Sequence, residues 1–322
     1  VSLEITESFV QQYRDNAVHL AQQMGSRFQD CVRKDPDIQG ANYYFERIGA
    51  TGVTIITSRG GPTPFISTPQ SRRRVTFTTA AWGELINNDD RAKTLIDPES
   101  EYMKAAKAAF GRYKDEVIIA CATGNAFAGK DGQSAVAFPA GQLVADTALA
   151  NFSSLDVAAN DAGHMSPQRL LKIGRLFALN DVNPDEERFI AVGARQIWDD
   201  MLQHAVVNSA DYNTLKAVAD GAVNSFSGFK FIMSNFLLLA GGTNTDVYGN
   251  AVPPITGATA GDRYDVAWAR SGIGLAVNEE IKAEVAKDPS RRYAVVPYME
   301  TAFGATRIEE ARVVVAAVVE TA

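Results

Sequence analysis

The sequence is poor in the residues that most often carry chemistry. Among 322 residues there are three histidines, two cysteines and three tryptophans. His19, His164 and His204 stand apart, with no second histidine three or four residues away, so the spacing of a metal centre is missing. Cys31 and Cys121 form neither a metal-ligand pair nor a disulfide framework. Cys121 closes an apolar helical run and is expected to be buried and reduced. There is no G-x-S-x-G elbow, and neither cysteine lies in a nucleophile motif. The adjacent acids Asp89/Asp90, Asp199/Asp200, Glu279/Glu280 and Glu309/Glu310 read as solvated faces or ion-pair partners. Neighbours on a strand point to opposite faces, which argues against Glu309 and Glu310 as a catalytic dyad. No catalytic residue, cofactor or metal is expected.

Other absences narrow the class further. The most apolar stretch, FLLLAGG at 236–242, is far short of the ~20 residues a spanning helix needs. The start, VSLEITESF, is polar and acidic, unlike a secretory leader. A soluble protein made inside the cell, without a membrane partner, is the expectation. Basic residues are outnumbered, 31 to 38, for a net charge of -7. That balance disfavours a protein whose main task is gripping phosphate backbones. GNAFAGKD at 124–131 has P-loop spacing, but Asp131 stands where a magnesium-binding hydroxyl belongs, and the stretch follows a helix rather than a strand. SGIG at 271–274 is too short for a dinucleotide fingerprint and reads as a strand bend.

What is present is ordinary folding material, with 46% hydrophobic and 21% charged residues. The length suggests two domains or one elaborate one. Phe9, Tyr13, Ala17, Leu20 and Met24 repeat at helical spacing and predict an N-terminal helix with one apolar stripe. Residues 40–58 read as extended. A loop containing Pro62, Pro64 and Pro69 follows, and the chain returns through SRRRVTFTTAAWGELI, giving a long two-stranded arm. On the return limb Arg73, Val75 and Phe77 face one way and Arg72, Arg74 and Thr76 the other. A helix is predicted over 97–123, with Asp97 as N-cap, Pro98 at its first position and Gly124 at its end.

From about 163 the chain turns α/β. A helix begins at Ser166–Pro167, a buried strand covers Arg188 to Val192, and a helix follows that ends near His204. DYNTLKAVADG predicts another short helix and SGFKFIMS a strand. Two strand-like runs flank Gly272, and two long strands joined near Gly304 complete the chain.

The triplet Arg72–Arg74 admits three readings: a nucleic-acid contact, a pocket for an anionic ligand in an α/β enzyme, or an arm gripping another subunit. Glu46 and Arg47 on the opposing limb and Asp89 and Asp90 beyond it mix the signs. Mixed charge suits protein–protein contact, where it fixes register and rejects wrong partners. The candidate interface residues are Glu46, Arg47, Arg59, Arg72, Arg73, Arg74 and, on the N-terminal helix, Phe9 and Tyr13.

The order of these parts resembles the major capsid proteins of tailed bacteriophages, the Hong Kong ninety-seven fold, shared with encapsulin shells. ITESFVQQYRDNAVHLAQQ, TPQSRRRVTF, PESEYMKAAKAAFGR, DEERFIAVGARQIWDDML, GFKFIMS and FGATRIEEARVV are similar to stretches of phage capsid proteins. The resemblance implies an α+β fold. It places an N-terminal arm at 1–35, an extended loop (E-loop) at 36–92, a peripheral domain with a spine helix at 93–139 and 263–322, and an axial domain at 140–262. It also implies a non-enzymatic virion shell of pentamers and hexamers, assembled in the host bacterial cytoplasm around double-stranded DNA held without sequence-specific contact. A scaffolding protein, a portal and a cement or decoration protein are implied partners; an encapsulin-like compartment is the runner-up. Some members of the fold cross-link an E-loop Lys to a neighbouring Asn. Between Asp35 and Ala92 this chain has no Lys, so its shell strength is expected from non-covalent contacts or a cement protein.

Overall fold

A computed structural model describes residues 22–57, 59–61, 63, 65–86, 98–145, 163–202, 225–241, 255 and 257–320. The expected N-terminal helix with Phe9 and Tyr13, the cap Asp97 and the helix expected in DYNTLKAVADG lie outside these residues.

The strands in chain order are β1 (Arg33–Asp35), β2 (Asn42–Ile48), β3 (Gln70–Thr76), β4 (Thr78–Gly83), β5 (Ala126–Ala128), β6 (Ser134–Val136), β7 (Leu143–Val144), β8 (Arg188–Val192), β9 (Ser225–Phe226), β10 (Phe229–Met233), β11 (Asp262–Ala269), β12 (Ile273–Asp288), β13 (Ala294–Arg307) and β14 (Val313–Val319). Helix α1 is Pro98–Thr123 and α2 is Pro167–Leu179. The mixture is α+β.

The described residues fall into two compact units. One lies within Val1–Ser26, Thr79–Arg112 and Glu280–Ala302, the other within Arg27–Thr78, Tyr113–Glu279 and Phe303–Ala322. The second is built on a six-stranded sheet in the order β7-β14-β11-β8-β10-β9. Its two faces take alternate residues of the same strands. Phe189, Ala191, Tyr264, Val266, Trp268, Val313, Val315 and Ala317 pack with Val117, Ile118, Ile119 and Ala122 of α1. Ile190, Val192, Ala267, Ala269, Val314, Ala316 and Val318 pack with Leu170, Ile173 and Phe177 of α2. A sheet covered on both faces needs apolar residues at every position, which is why β14 reads VVVAAVV without alternation. Ser166 caps α2 by accepting from Arg169 N, with Pro167 next, as its sequence predicts.

Buried polar groups pin the ends of this unit. Asp115, fully buried on α1, accepts from the backbone N–H of Arg27 at 2.9 Å and of Phe28 at 3.2 Å, fixing the chain where it enters β1. Arg307, also fully buried, donates to the carbonyls of Ala122 and Gly124 at 3.0 and 2.8 Å, the last turn of α1. Those carbonyls have no partner within the helix, so a cation suits the position.

In the other unit, Ala106, Phe110 and Met103 of α1 pack on Met299 of β13 and on Ala80 and Trp82 of β4. A bridge between Ile86 and Val295 continues the pairing.

Three expectations need correction. The long two-stranded arm is paired only over β2 and β3, because residues 49–57 have no strand partner; Pro69 closes the ladder, its carbonyl accepting from Gly49 N at 2.8 Å. The late strands are not joined near Gly304. β13 runs through it to Arg307, and the turn lies at Ile308–Arg312. A Cβ at Gly304 would sit 2.4 Å from the carbonyl oxygen of Thr76, so glycine here marks a close approach of two backbones rather than a turn. The segment after β8 winds as a π-helix over Gln196–Met201.

Candidate assembly surface

The arginine triplet lies on β3, paired antiparallel with β2 in a register that sets Tyr44 opposite Arg74, Phe45 opposite Arg73, Glu46 opposite Arg72 and Arg47 opposite Ser71. The alternation of the sequence holds: Arg73 and Val75 are buried, while Thr76 is exposed. Phe45 and Val75 form a small core with Ala276 and Ile308, and Tyr43 and Phe77 pack on its edge.

The three arginines therefore have different roles. Arg73 Nη2 reaches Glu310 Oε1 at 2.5 Å. Arg47 Nη1 lies 3.4 Å from Glu310 Oε2 and donates to the Ile308 carbonyl at 2.7 Å, and Arg307 Nε stands 3.9 Å from Glu310. One carboxylate serves three guanidinium groups, and it sits in the turn that carries the chain into β14. Burial lowers the proton affinity of Arg73 and Arg307, and Glu310 opposes that shift in both. Arg72 lies over the ring of Tyr44 at 4.9 Å and Arg74 over that of Phe127 at 5.2 Å. Both are half-buried, with their guanidinium groups set over aromatic rings. The triplet is thus no continuous basic stripe.

Two grooves flank the root of this hairpin. One, of about 520 Å³, is lined by Glu46, Arg47, Gln70, Arg72 and Lys130; the other, of about 350 Å³, by Arg33, Arg47, Ile48, Ser271, Glu309 and Arg312. In the second groove Arg312 is held by Glu309 at 2.6 Å and Glu186 at 3.1 Å. Arginines offset by neighbouring carboxylates make surfaces of mixed sign, unlike a phosphate cradle. The former P-loop candidate is the β5–β6 hairpin, with Phe127 opposite Ala135.

Beyond Gly49 the chain leaves its own unit's core. Ile48 is 77% exposed, Val53 94%, Ile55 83% and Phe65 97%. Arg59 is exposed in the same loop. These apolar residues are absent from the candidates chosen by sequence, where TGVTIIT passed for an ordinary strand. The signal was available: the limb opposite carries three prolines and cannot pair with it.

Elsewhere, His164 Nδ1 is 3.1 Å from Asp200 Oδ1, and Asp200 also accepts from Met165 N at 2.9 Å. Burial raises the Asp200 carboxyl, and the His164 contact opposes the rise. Both cysteines are free thiols that burial pushes up, Cys31 to about 11 and Cys121 to about 12, which leaves them poor nucleophiles. Among the described residues no three His, Cys, Asp or Glu side chains come together as a metal site, and no helix is long and apolar enough to cross a membrane.

Comparisons with known proteins agree with this architecture. The fold matches a capsid protein of cyanophage P-SCSP1u with a TM-score of 0.71 at 16% identity, over 98% of this chain and 94% of that one. A chain from Mycobacterium phage Che8 matches with a TM-score of 0.65 at 14% identity, over 97% of each. The capsid of bacteriophage PhiM1 matches with a TM-score of 0.63 at 13% identity, over 100% of this chain and 93% of that one. At such identities the likeness is one of fold, with α1 in the place of the long spine helix of Hong Kong ninety-seven-type capsids. A sequence comparison with curated proteins gives no significant match. The profile of the phage capsid protein family, however, matches residues 5–320, nearly the whole chain. The chain belongs to the phage capsid protein family: it is a structural component of a virion, not an enzyme.

Proposed function

We propose that this capsid protein closes an icosahedral shell by laying the loop between β2 and β3 across an adjacent copy in pentamers and hexamers. The observation that carries the reading is the exposure of Val53, Ile55 and Phe65 on a loop whose root is fixed by Glu310. A lone soluble chain gains nothing from such apolar exposure, whereas an interface buries it. Residues 36–92 serve as the E-loop and 1–35 as the N-terminal arm. Residues 93–139 and 263–322 form the peripheral domain around α1, and 140–262 form the axial domain at the capsomer axis.

Arg59, Arg72 and Arg74 with Glu46 meet the neighbour, as do Phe9 and Tyr13 of the arm. Arg73 and Arg47 hold the root of the loop through Glu310. The shell packages double-stranded DNA without sequence-specific contact, and a net charge of -7 keeps an inner wall from holding it tightly. A scaffolding protein, a portal and a cement protein complete the particle.

The test is Ile55→Ser combined with Phe65→Ser. Both side chains are exposed in the single chain, so its thermal midpoint should stay within a few degrees of the parent. Shell yield, counted by electron microscopy, should fall at least tenfold. Unchanged yield removes the loop from the interface.

A further inference from the structure

Among the described residues, the strand β12 is held on its outer side only at its start. β1 pairs with Gly274, Leu275 and Ala276, and the Ile38 N–H reaches the Val277 carbonyl at 3.1 Å. From there to the tip no described strand lies on that edge, and residues 280–287 are all exposed. Residues 281–287 of this eight-residue run offer a ladder of backbone donors and acceptors, which in a solitary protein is an aggregation hazard. Its residues are Glu280, Ile281, Lys282, Ala283, Glu284, Val285, Ala286 and Lys287.

The run is self-complementary when two copies pair antiparallel about Ala283. Centred on Ala283, two copies set Lys282 opposite Glu284 of the other copy, twice by symmetry. The same register sets the exposed Ile281 opposite Val285, again twice, and Ala283 faces itself on the axis. Opposite charges and apolar pairs directly across a ladder are both favourable. Sliding the centre to 282, with the same faces together, puts Lys282 against Lys282 and Glu280 against Glu284. Sliding it to 284 puts Glu284 against Glu284. Parallel in-register pairing opposes like charges at each of these positions. The charges thus disfavour the two adjacent slips and the parallel pairing while accepting this register, as expected of an isologous twofold contact.

We propose that the outer edge of β12 pairs antiparallel with the same edge of a second copy of this chain, centred on Ala283. The contact goes beyond the E-loop reading and does not depend on it.

Two readouts on the full-length chain test it. In the proposed register the Cα atoms of the two Ala283 residues face each other about 4.5–5.5 Å apart, within disulfide reach once each carries a thiol. Ala283→Cys treated with a mild oxidant should therefore give a covalent dimer on a non-reducing gel. Ala286→Cys should not, since position 286 lies opposite 280 and about 20 Å from its own counterpart. Charge reversal supplies the second readout. Lys282→Glu should weaken the contact by roughly tenfold, because each contact then holds two like-charge pairs. Lys282→Glu with Glu284→Lys should restore it. Lys282 also approaches Glu300 of its own chain at 4.0 Å. The double reversal cannot restore that approach, so rescue reports the pair between copies.

Closed shells of the Ala283→Cys chain in which the introduced thiols stay unlinked overturn the pairing and leave the capsid reading intact. Single and double reversals that assemble alike overturn it too. If no shells form, disulfide-linked dimers of the Ala283→Cys chain in solution still sustain it, and their absence ends it.

Discussion

Arg73 and its two neighbours show how three identical side chains acquire different tasks. The period-two alternation of a strand, visible in the sequence, set Arg73 on one face and Arg72 and Arg74 on the other, and the structure shows that the Arg73 face is the buried one. Its partner was not visible, because Glu310 lies 237 residues further along and meets it only through tertiary packing. Replacing Glu310 with Gln leaves the guanidinium of the buried Arg73 without an anionic partner and should cost about 3 kcal/mol in a urea titration. Arg72→Glu with Arg74→Glu loses two ring contacts and should cost about 1 kcal/mol, yet impair assembly. Equal stability losses in the two variants would contradict the division of roles.

Asp265 offers a pH readout at the same scale. Burial holds its carboxyl well above the usual range, against the pull of Arg263 and Arg169. The folded chain therefore keeps this proton to higher pH than the unfolded chain. The stability it contributes is complete below the ordinary carboxylate value near ~3.9 and is lost as pH rises through the folded value. Asp265→Asn escapes that loss, so its thermal midpoint should gain on the parent as the pH rises above the ordinary carboxylate value. A constant offset would refute the assignment.

Secondary-structure elements were legible where local chemistry decides them. The Ser166–Pro167 start of α2 and the helix after Pro98 follow from capping signals and apolar spacing. The second half of α1 is buried on more than one side, since Ile118, Ile119, Ala120 and Ala122 are all buried. Long-range approach decided the rest. Gly304 looks like a turn in the sequence but permits a backbone contact inside β13, and the pairing of β2 with β3 stops where prolines fill the opposite limb. Asp115, in mid-helix, looks like a solvated charge and instead fixes the chain before β1. Asp115→Ala leaves the buried Phe28 N–H and the part-buried Arg27 N–H without this acceptor and should cost about 1–3 kcal/mol by thermal or urea unfolding. A loss below ~0.5 kcal/mol would mean that water replaces the carboxylate.

At the scale of the whole molecule, the order of the elements pointed to a shell protein, and membership of the phage capsid family agrees. Assembly itself is a property of many copies. Identical chains meeting by heterologous contacts close into rings, and weak contacts repeated over a shell add up to a stable particle. The neighbour's surface is another copy of this sequence, so nothing local in the sequence marks where the E-loop lands. The measurement that tests the account most directly is electron microscopy of the expressed full-length protein, alone and with proteins encoded beside it, with light-scattering mass in parallel. Closed shells, or five- and six-membered rings of megadalton or capsomer mass, are the predicted result. A uniform monomer under every condition would contradict it.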